Sequence, residues 1–209
     1  MGDEPFTALL PWVVFAVIDR AQGDPLWAGV GALITAITLL ATSTRGTGRR
    51  NGLMLGAVAW FGGIAAIGVM DRTNTGVLAQ DGRAISAAGF ALIAFVSLVF
   101  HPASEFYTRQ HVRTNRWDDR AFRRVNVLIT LIWAATFTGI ALAHFIGVSM
   151  NTAEAFTVFN WVVPIALAAI AAHRTRICWD DFNDDDAYEP DPIADLSLDW
   201  EGSVHSTDF

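Results

Sequence analysis

The chain has little of what most catalytic or metal-binding sites are made from. Its 209 residues include no lysine and a single cysteine, Cys178, so neither an internal disulfide nor a cysteine-based zinc or iron–sulfur site can form within one chain. The sequence also presents no activated nucleophile, no metal-ligand set and no diphosphate-binding pair of acids. We therefore expect a non-enzymatic protein with no cofactor and no metal, and the missing lysine indicates a genome bias rather than a function.

Charged residues are also scarce within six apolar stretches that occupy most of the chain. A hydrocarbon core about 30 Å thick needs roughly 20 apolar residues per helix, and a soluble domain could not hide a composition that is 53% hydrophobic. We predict an all-α membrane protein in which residues 1–177 form a bundle of about six transmembrane helices. The predicted spans are Phe6–Ile18, Leu26–Thr42, Gly52–Met70, Ala84–Phe100, Val127–Met150 and Ala155–Ala172.

The first span is the shortest and contains Pro11, so an interfacial helix or half of a hairpin remain alternatives to a kinked crossing. All 14 basic residues are arginine, and most of them follow the second, fourth and sixth spans. By the positive-inside rule, both termini are cytoplasmic. If Phe6–Ile18 does not cross, only the N-terminus changes side.

The segment between the fourth and fifth spans, His101–Asn126, is rich in arginine with aromatic residues interleaved. This composition predicts a cytoplasmic amphipathic helix that lies in the headgroup layer and binds anionic phospholipid. A positively charged loop that only fixes topology is the alternative. The predicted lipid-binding residues are Arg109, Arg113, Arg116, Arg120, Arg123 and Arg124.

The composition changes abruptly after the last span, where residues 178–209 carry a dense set of aspartates. Such a self-repelling segment predicts a disordered cytoplasmic tail. Aromatic residues spaced among the acids favour folding onto a basic partner, with a plain solubilising tail as the alternative. The predicted partner-binding residues are Trp179, Phe182, Tyr188 and Trp200.

His144 is the only ionisable side chain well within a predicted span, and Asn160 enters the next span from the same outer side. At about 1.5 Å of rise per residue the two reach a similar depth, so a hydrogen bond between neighbouring helices would satisfy both. Alternatively, they line a polar path together with Thr35 and Thr38. The aspartates at the outer rim have arginine neighbours, so ion pairing is favoured there over a carboxylate active site. These aspartates are Asp19, Asp24, Asp71 and Asp81.

Two stretches resemble a known family. The first, Leu10–Ala36, begins Leu-Pro-Trp-Val-Val-Phe, turns at Asp19–Pro25 and enters an Ala-rich span, as does the opening hairpin of the intracellular septation protein A family of bacterial inner-membrane proteins. The second, His101–Arg109 with Trp117 and Asn126, is similar to an uncharacterised branch of that family, although Pro-Ala-Ser replaces the branch's Pro-Phe-Thr and the acidic tail is extra. The resemblance implies a non-enzymatic role in envelope maintenance or division.

These observations together predict an accessory or scaffolding subunit of an envelope or transport complex, including lipid transport, in a prokaryotic plasma membrane. Its expected partners are the bilayer, anionic phospholipids and other membrane subunits, and we expect no nucleic acid. The alternative is a small transporter or channel whose path is lined by Thr35, Thr38, His144 and Asn160.

Overall fold

The fold is a bundle of helices, given by a computed structural model that describes residues 5–47, 51–70, 76–109, 112, 117, 119–150 and 152–187. Every regular element within these residues is helical. In chain order the elements are a 3₁₀ turn at Pro5–Leu9, α1 (Leu10–Gln22), α2 (Pro25–Thr47), α3 (Gly52–Met70), α4 (Val77–Phe100), α5 (Glu105–Thr108), α6 (Arg120–Ser149), α7 (Ala153–Thr157), a π-helical turn at Val158–Val162, and α8 (Val163–Ala187).

Five of the described helices are long and apolar enough to cross a bilayer, judged by length and composition. They indicate a multi-pass membrane protein. Helix α1, which has 13 residues, is not among the five. The candidate spans are Pro25–Ser43, Gly52–Met70, Val77–Phe100, Arg120–Ser149 and Ala153–Asn183.

The first two helices form a tight hairpin. Gly23 ends α1 in the left-handed conformation, with a φ of 64°, and its N–H donates to the Asp19 carbonyl over 2.8 Å. The Asp24 carboxylate then accepts from the Leu26 N–H over 2.9 Å, which caps the start of α2. The chain therefore reverses within two residues, and α1 packs along α2.

Packing between the helices buries small residues and a central aromatic cluster. At the α2–α3 contact, a Cβ added to Gly68 would lie 2.9 Å from the Leu26 Cα, so the two backbones approach closely only because this position is glycine. The rings of Trp12, Phe90 and Phe137 meet between α1, α4 and α6, with centroids 4.8 Å apart for the first pair and 4.0 Å for the second. All three rings are buried, so the cluster joins these helices through apolar contact.

Two helices begin about two turns earlier than the hydropathy pattern predicts. Helix α4 starts at Val77 rather than Ala84, so it includes Asp81 and Arg83. Helix α6 starts at Arg120, where the Asp119 carboxylate accepts from the Ala121 N–H over 3.1 Å. Within the described part of residues 101–126, α5 is a single turn, and Arg120, Arg123 and Arg124 belong to α6. These described residues therefore do not form the one continuous amphipathic helix that was predicted.

The predicted disordered tail is also corrected at its start. Helix α8 continues to Ala187, so residues 178–187 are helical. Phe182 is only 6% exposed, and its ring lies 6.2 Å from that of Phe122 and 5.6 Å from that of Trp179, measured between centroids. Burial of these rings against the start of α6 stabilises this part of α8 despite the neighbouring aspartates.

Candidate functional site

The two predicted intramembrane polar residues meet near the end of the bundle that the arginine distribution predicts to face outward. His144 on α6 and Asn160 on the π-helical turn are joined by an Nδ1–Oδ1 contact of 2.9 Å, and both residues are buried. The bond links helices that neighbour one another in the chain, as depth counting from the sequence predicts. It leaves the Asn160 Nδ2, which is buried, without a hydrogen-bond partner among the described residues.

The unusual helical turn around Asn160 has a local cause. Pro164 has no N–H, so the Asn160 carbonyl cannot receive the ordinary bond from four residues ahead. The Val163 N–H donates to the Val158 carbonyl, a five-residue spacing that defines a π-helical turn. Gly147 on α6 allows the close approach, because a Cβ there would lie 2.5 Å from the Asn160 Nδ2. Proline and glycine together thus place the amide beside His144.

A second polar contact completes this end of the bundle. The Arg83 Nε donates to the Asp19 Oδ2 over 2.7 Å, and the two side chains are only 12% and 16% exposed. The Arg83 Cζ also lies 5.5 Å from the centre of the Phe156 ring and 5.6 Å from that of Trp161. Arg83 therefore ties α4 to both α1 and the helix that carries Asn160.

These side chains surround one small cavity, which we call the outer cleft. It has a volume of about 230 Å³ and is lined by Asp19, Arg83, His144 and Asn160, among others. The hydropathy pattern does not place Arg83 with His144, because the predicted span begins only at Ala84, one residue after Arg83. The signal available in the sequence was the position of Asp19 and Arg83 at span ends on the same predicted side.

A larger cavity, which we call the inner cavity, lies at the opposite end of the bundle. Its volume is about 580 Å³, and its walls come from the 3₁₀ turn, α3, α4, α5, α6, α8 and the residues just before α5. The walls are mainly apolar, and include Leu9, Leu53, Phe90, Ile129 and Trp133. The polar lining residues include Ser104, Thr108, Thr130, His173, Thr175, Arg176 and Asp180.

Hydrogen bonds hold the polar side of the inner cavity in place. The Asn126 Oδ1 accepts from the Ser104 hydroxyl over 2.9 Å and from the Thr108 hydroxyl over 2.6 Å. Across the cavity, the Trp133 Nε1 donates to the Thr175 hydroxyl over 3.1 Å, which connects α6 to α8. Because the buried amide of Asn126 is satisfied by fixed neighbours, this rim is a rigid polar surface beside an apolar space.

The predicted lipid-binding arginines divide into two groups. Arg109 pairs with Glu105, and its Cζ lies 4.9 Å from the centre of the Trp117 ring, so much of its guanidinium is engaged within the protein. The other described members, Arg120, Arg123 and Arg124, are exposed on the first turns of α6. Arg113 and Arg116 lie outside the described residues.

The remaining predicted residues do not join either cavity as a set. Thr35 and Thr38 lie on α2, and their hydroxyls donate to the carbonyls of Gly31 and Ile34 in the same helix, each over 2.9 Å. Neither lines the outer cleft with His144 and Asn160. Of the predicted tail residues, Phe182 is buried and Trp179 lines the inner cavity, whereas Tyr188 and Trp200 fall outside the described residues. Within those residues, no three His, Cys, Asp or Glu side chains form a group that could hold a metal ion.

Comparison with protein-family models, with curated proteins and with solved structures finds no match for the chain. The resemblance to the septation protein A family therefore stays a prediction.

Proposed function

We propose that this protein is a non-enzymatic, lipid-binding accessory subunit of a prokaryotic plasma-membrane complex. The observation that supports the proposal is the inner cavity, whose volume of about 580 Å³ lies in the range of small-molecule sites. Its apolar walls suit an acyl chain, and its fixed polar rim suits the polar end of the same molecule. One amphiphile would thus satisfy both surfaces.

The orientation proposed for the chain agrees with this use of the cavity. With both termini cytoplasmic, the inner cavity lies toward the cytoplasmic leaflet, where Arg176 on its rim and the exposed Arg120, Arg123 and Arg124 face anionic headgroups. The 3₁₀ turn has 5 residues and α1 has 13, and end to end they span about 30 Å. This length supports a sixth crossing by the N-terminal helix.

Lipid binding can be tested by filling the inner cavity with a larger side chain. Ala172 lines the inner cavity on α8, whereas Ala169 is exposed on another face of the same helix. We expect native mass spectrometry of protein in mild detergent to detect a bound lipid on the wild type and on Ala169→Phe, but not on Ala172→Phe. Equal lipid retention by the two phenylalanine variants would contradict the assignment.

The accessory role is tested by affinity purification of the full chain from its own membrane in mild detergent. We expect a reproducible companion membrane protein in amounts comparable to the chain. Recovery of the protein alone, with its lipid, would argue for a lipid-binding protein that acts without a complex.

A second candidate, a small transporter, is favoured by how the two cavities are arranged. Three elements contribute residues to both cavities, namely α4, α6 and the α7–α8 helix. Helix α1 connects the 3₁₀ turn at the inner cavity to Asp19 at the outer cleft. The rings of Trp12, Phe90 and Phe137 connect α1, α4 and α6, and Phe90 also lines the inner cavity. This path differs from the predicted one because it excludes Thr35 and Thr38. Proteoliposome flux that persists in both His144→Ala and Asn160→Ala would remove the outer cleft from such a path.

A further inference from the structure

We propose that the outer cleft is a binding site for a single oxyanion group, either a carboxylate or a phosphate, which Arg83 and Asn160 hold by hydrogen bonds. The site is separate from the inner cavity and does not depend on the proposed lipid there.

The outer cleft contains two hydrogen-bond donors that no described residue uses. The Arg83 Nη1 and the Asn160 Nδ2 are both buried, and neither has a hydrogen-bond partner among the described residues. Both residues line the same cavity. Buried donors of this kind are costly unless something accepts from them, so two in one cavity indicate a missing acceptor.

The surroundings of Arg83 determine which edge of its guanidinium is available. Rings of Phe156 and Trp161 lie near the guanidinium carbon, and Asp19 takes the Nε edge. What remains is an in-plane edge with N–H groups, the geometry that recognises carboxylate and phosphate oxygens. Because Asp19 already uses Arg83, the cleft has no spare carboxylate at its buried end that would attract a cation.

Charge and size limit the occupant further. The other charged residues that line the cleft are Arg20, which is exposed, and Asp81, which is half-buried, so their charges offset each other. A cavity of about 230 Å³ is smaller than the range typical of drug-sized ligands. The cleft therefore suits one small charged group, supplied by a free anion or by a lipid headgroup.

The experiment measures thermal unfolding of the full chain in an uncharged sugar detergent, because a ligand that binds only the folded state raises the melting temperature. One arm titrates sodium acetate or inorganic phosphate against sodium chloride of equal ionic strength. The other arm adds phosphatidylglycerol against a neutral diacylglycerol of the same chain length. Each arm compares the wild type with Arg83→Gln, Asn160→Asp and, as a control, Arg174→Gln, which replaces an exposed arginine of α8 that lines neither cavity.

We expect a saturable rise of several degrees in the melting temperature of the wild type and of Arg174→Gln, which removes the same charge outside the cleft. Asn160→Asp removes the amide donor and adds a negative charge to the cleft, so its response should be lost even if Arg83→Gln does not fold. A response to acetate or phosphate identifies a soluble anion, and a response confined to phosphatidylglycerol identifies a headgroup. No response in either arm, or an equal response in Asn160→Asp, would overturn the proposal.

Discussion

Replacement of Phe182 by alanine tests whether α8 truly continues past the membrane as a packed helix. The ring is 6% exposed and contacts Phe122 and Trp179. Burial of a phenylalanine side chain contributes about 2.5 kcal/mol, and the aromatic pair with Phe122, which lies on another helix, adds about 1 kcal/mol. We therefore expect the free energy of local unfolding of residues 178–187 to fall by about 3.5 kcal/mol. At about 1.4 kcal/mol per factor of ten, this corresponds to roughly 300-fold faster amide exchange.

Hydrogen exchange followed by mass spectrometry measures this change peptide by peptide. The matched control is Phe145→Ala, because Phe145 is 58% exposed on α6 and its removal should leave exchange at the end of α8 unchanged. The global melting temperature should change less than local exchange, since the contact lies at one end of the bundle. If exchange over residues 178–187 is already fast in the wild type and does not respond to Phe182→Ala, the packing of this segment is refuted.

Two further substitutions test the outer cleft by thermal unfolding in detergent. Gly147→Ala places a Cβ 2.5 Å from the Asn160 Nδ2, and we expect a loss of about 1–3 kcal/mol, whereas Gly139→Ala, 3.3 Å from a flexible leucine end, should cost much less. Asp19→Asn leaves the Arg83 charge buried without its carboxylate, and we expect a loss of about 3 kcal/mol. Equal melting temperatures for the two glycine variants, or an unchanged one for Asp19→Asn, would contradict the respective contact.

The sequence predicted the apolar helices well where charge or glycine marks both ends. The span Gly52–Met70 has the same bounds in the structure as in the prediction, because Arg50 and Asp71 flank a run without charge. The absence of charge did not predict the start of α4, which lies seven residues before Ala84. Arg83 lies inside the helix because Asp19 and two aromatic rings compensate its charge, and such a partner from a distant helix is not visible in a hydropathy pattern.

The candidate sites were predictable to different degrees for similar reasons. His144 and Asn160 could be matched from the sequence, because the constant rise of a helix converts residue counts into depth. The helical structure at the start of the acidic segment could not be predicted from the sequence. Average composition hides the three-residue spacing that places Trp179 and Phe182 near the start of α6. The inner cavity had no sequence signal at all, since its volume depends on how side chains from several elements fail to fill one space.

The Asp19–Arg83 pair also constrains the order in which the protein can be assembled. Asp19 is synthesised 64 residues before Arg83, which at typical rates of translation is an interval of about 3–13 s. During that interval the hairpin of α1 and α2 carries a carboxylate with no counter-charge from α4, which favours keeping its turn in contact with water. Final docking of the N-terminal hairpin must therefore wait until α4 has entered the membrane.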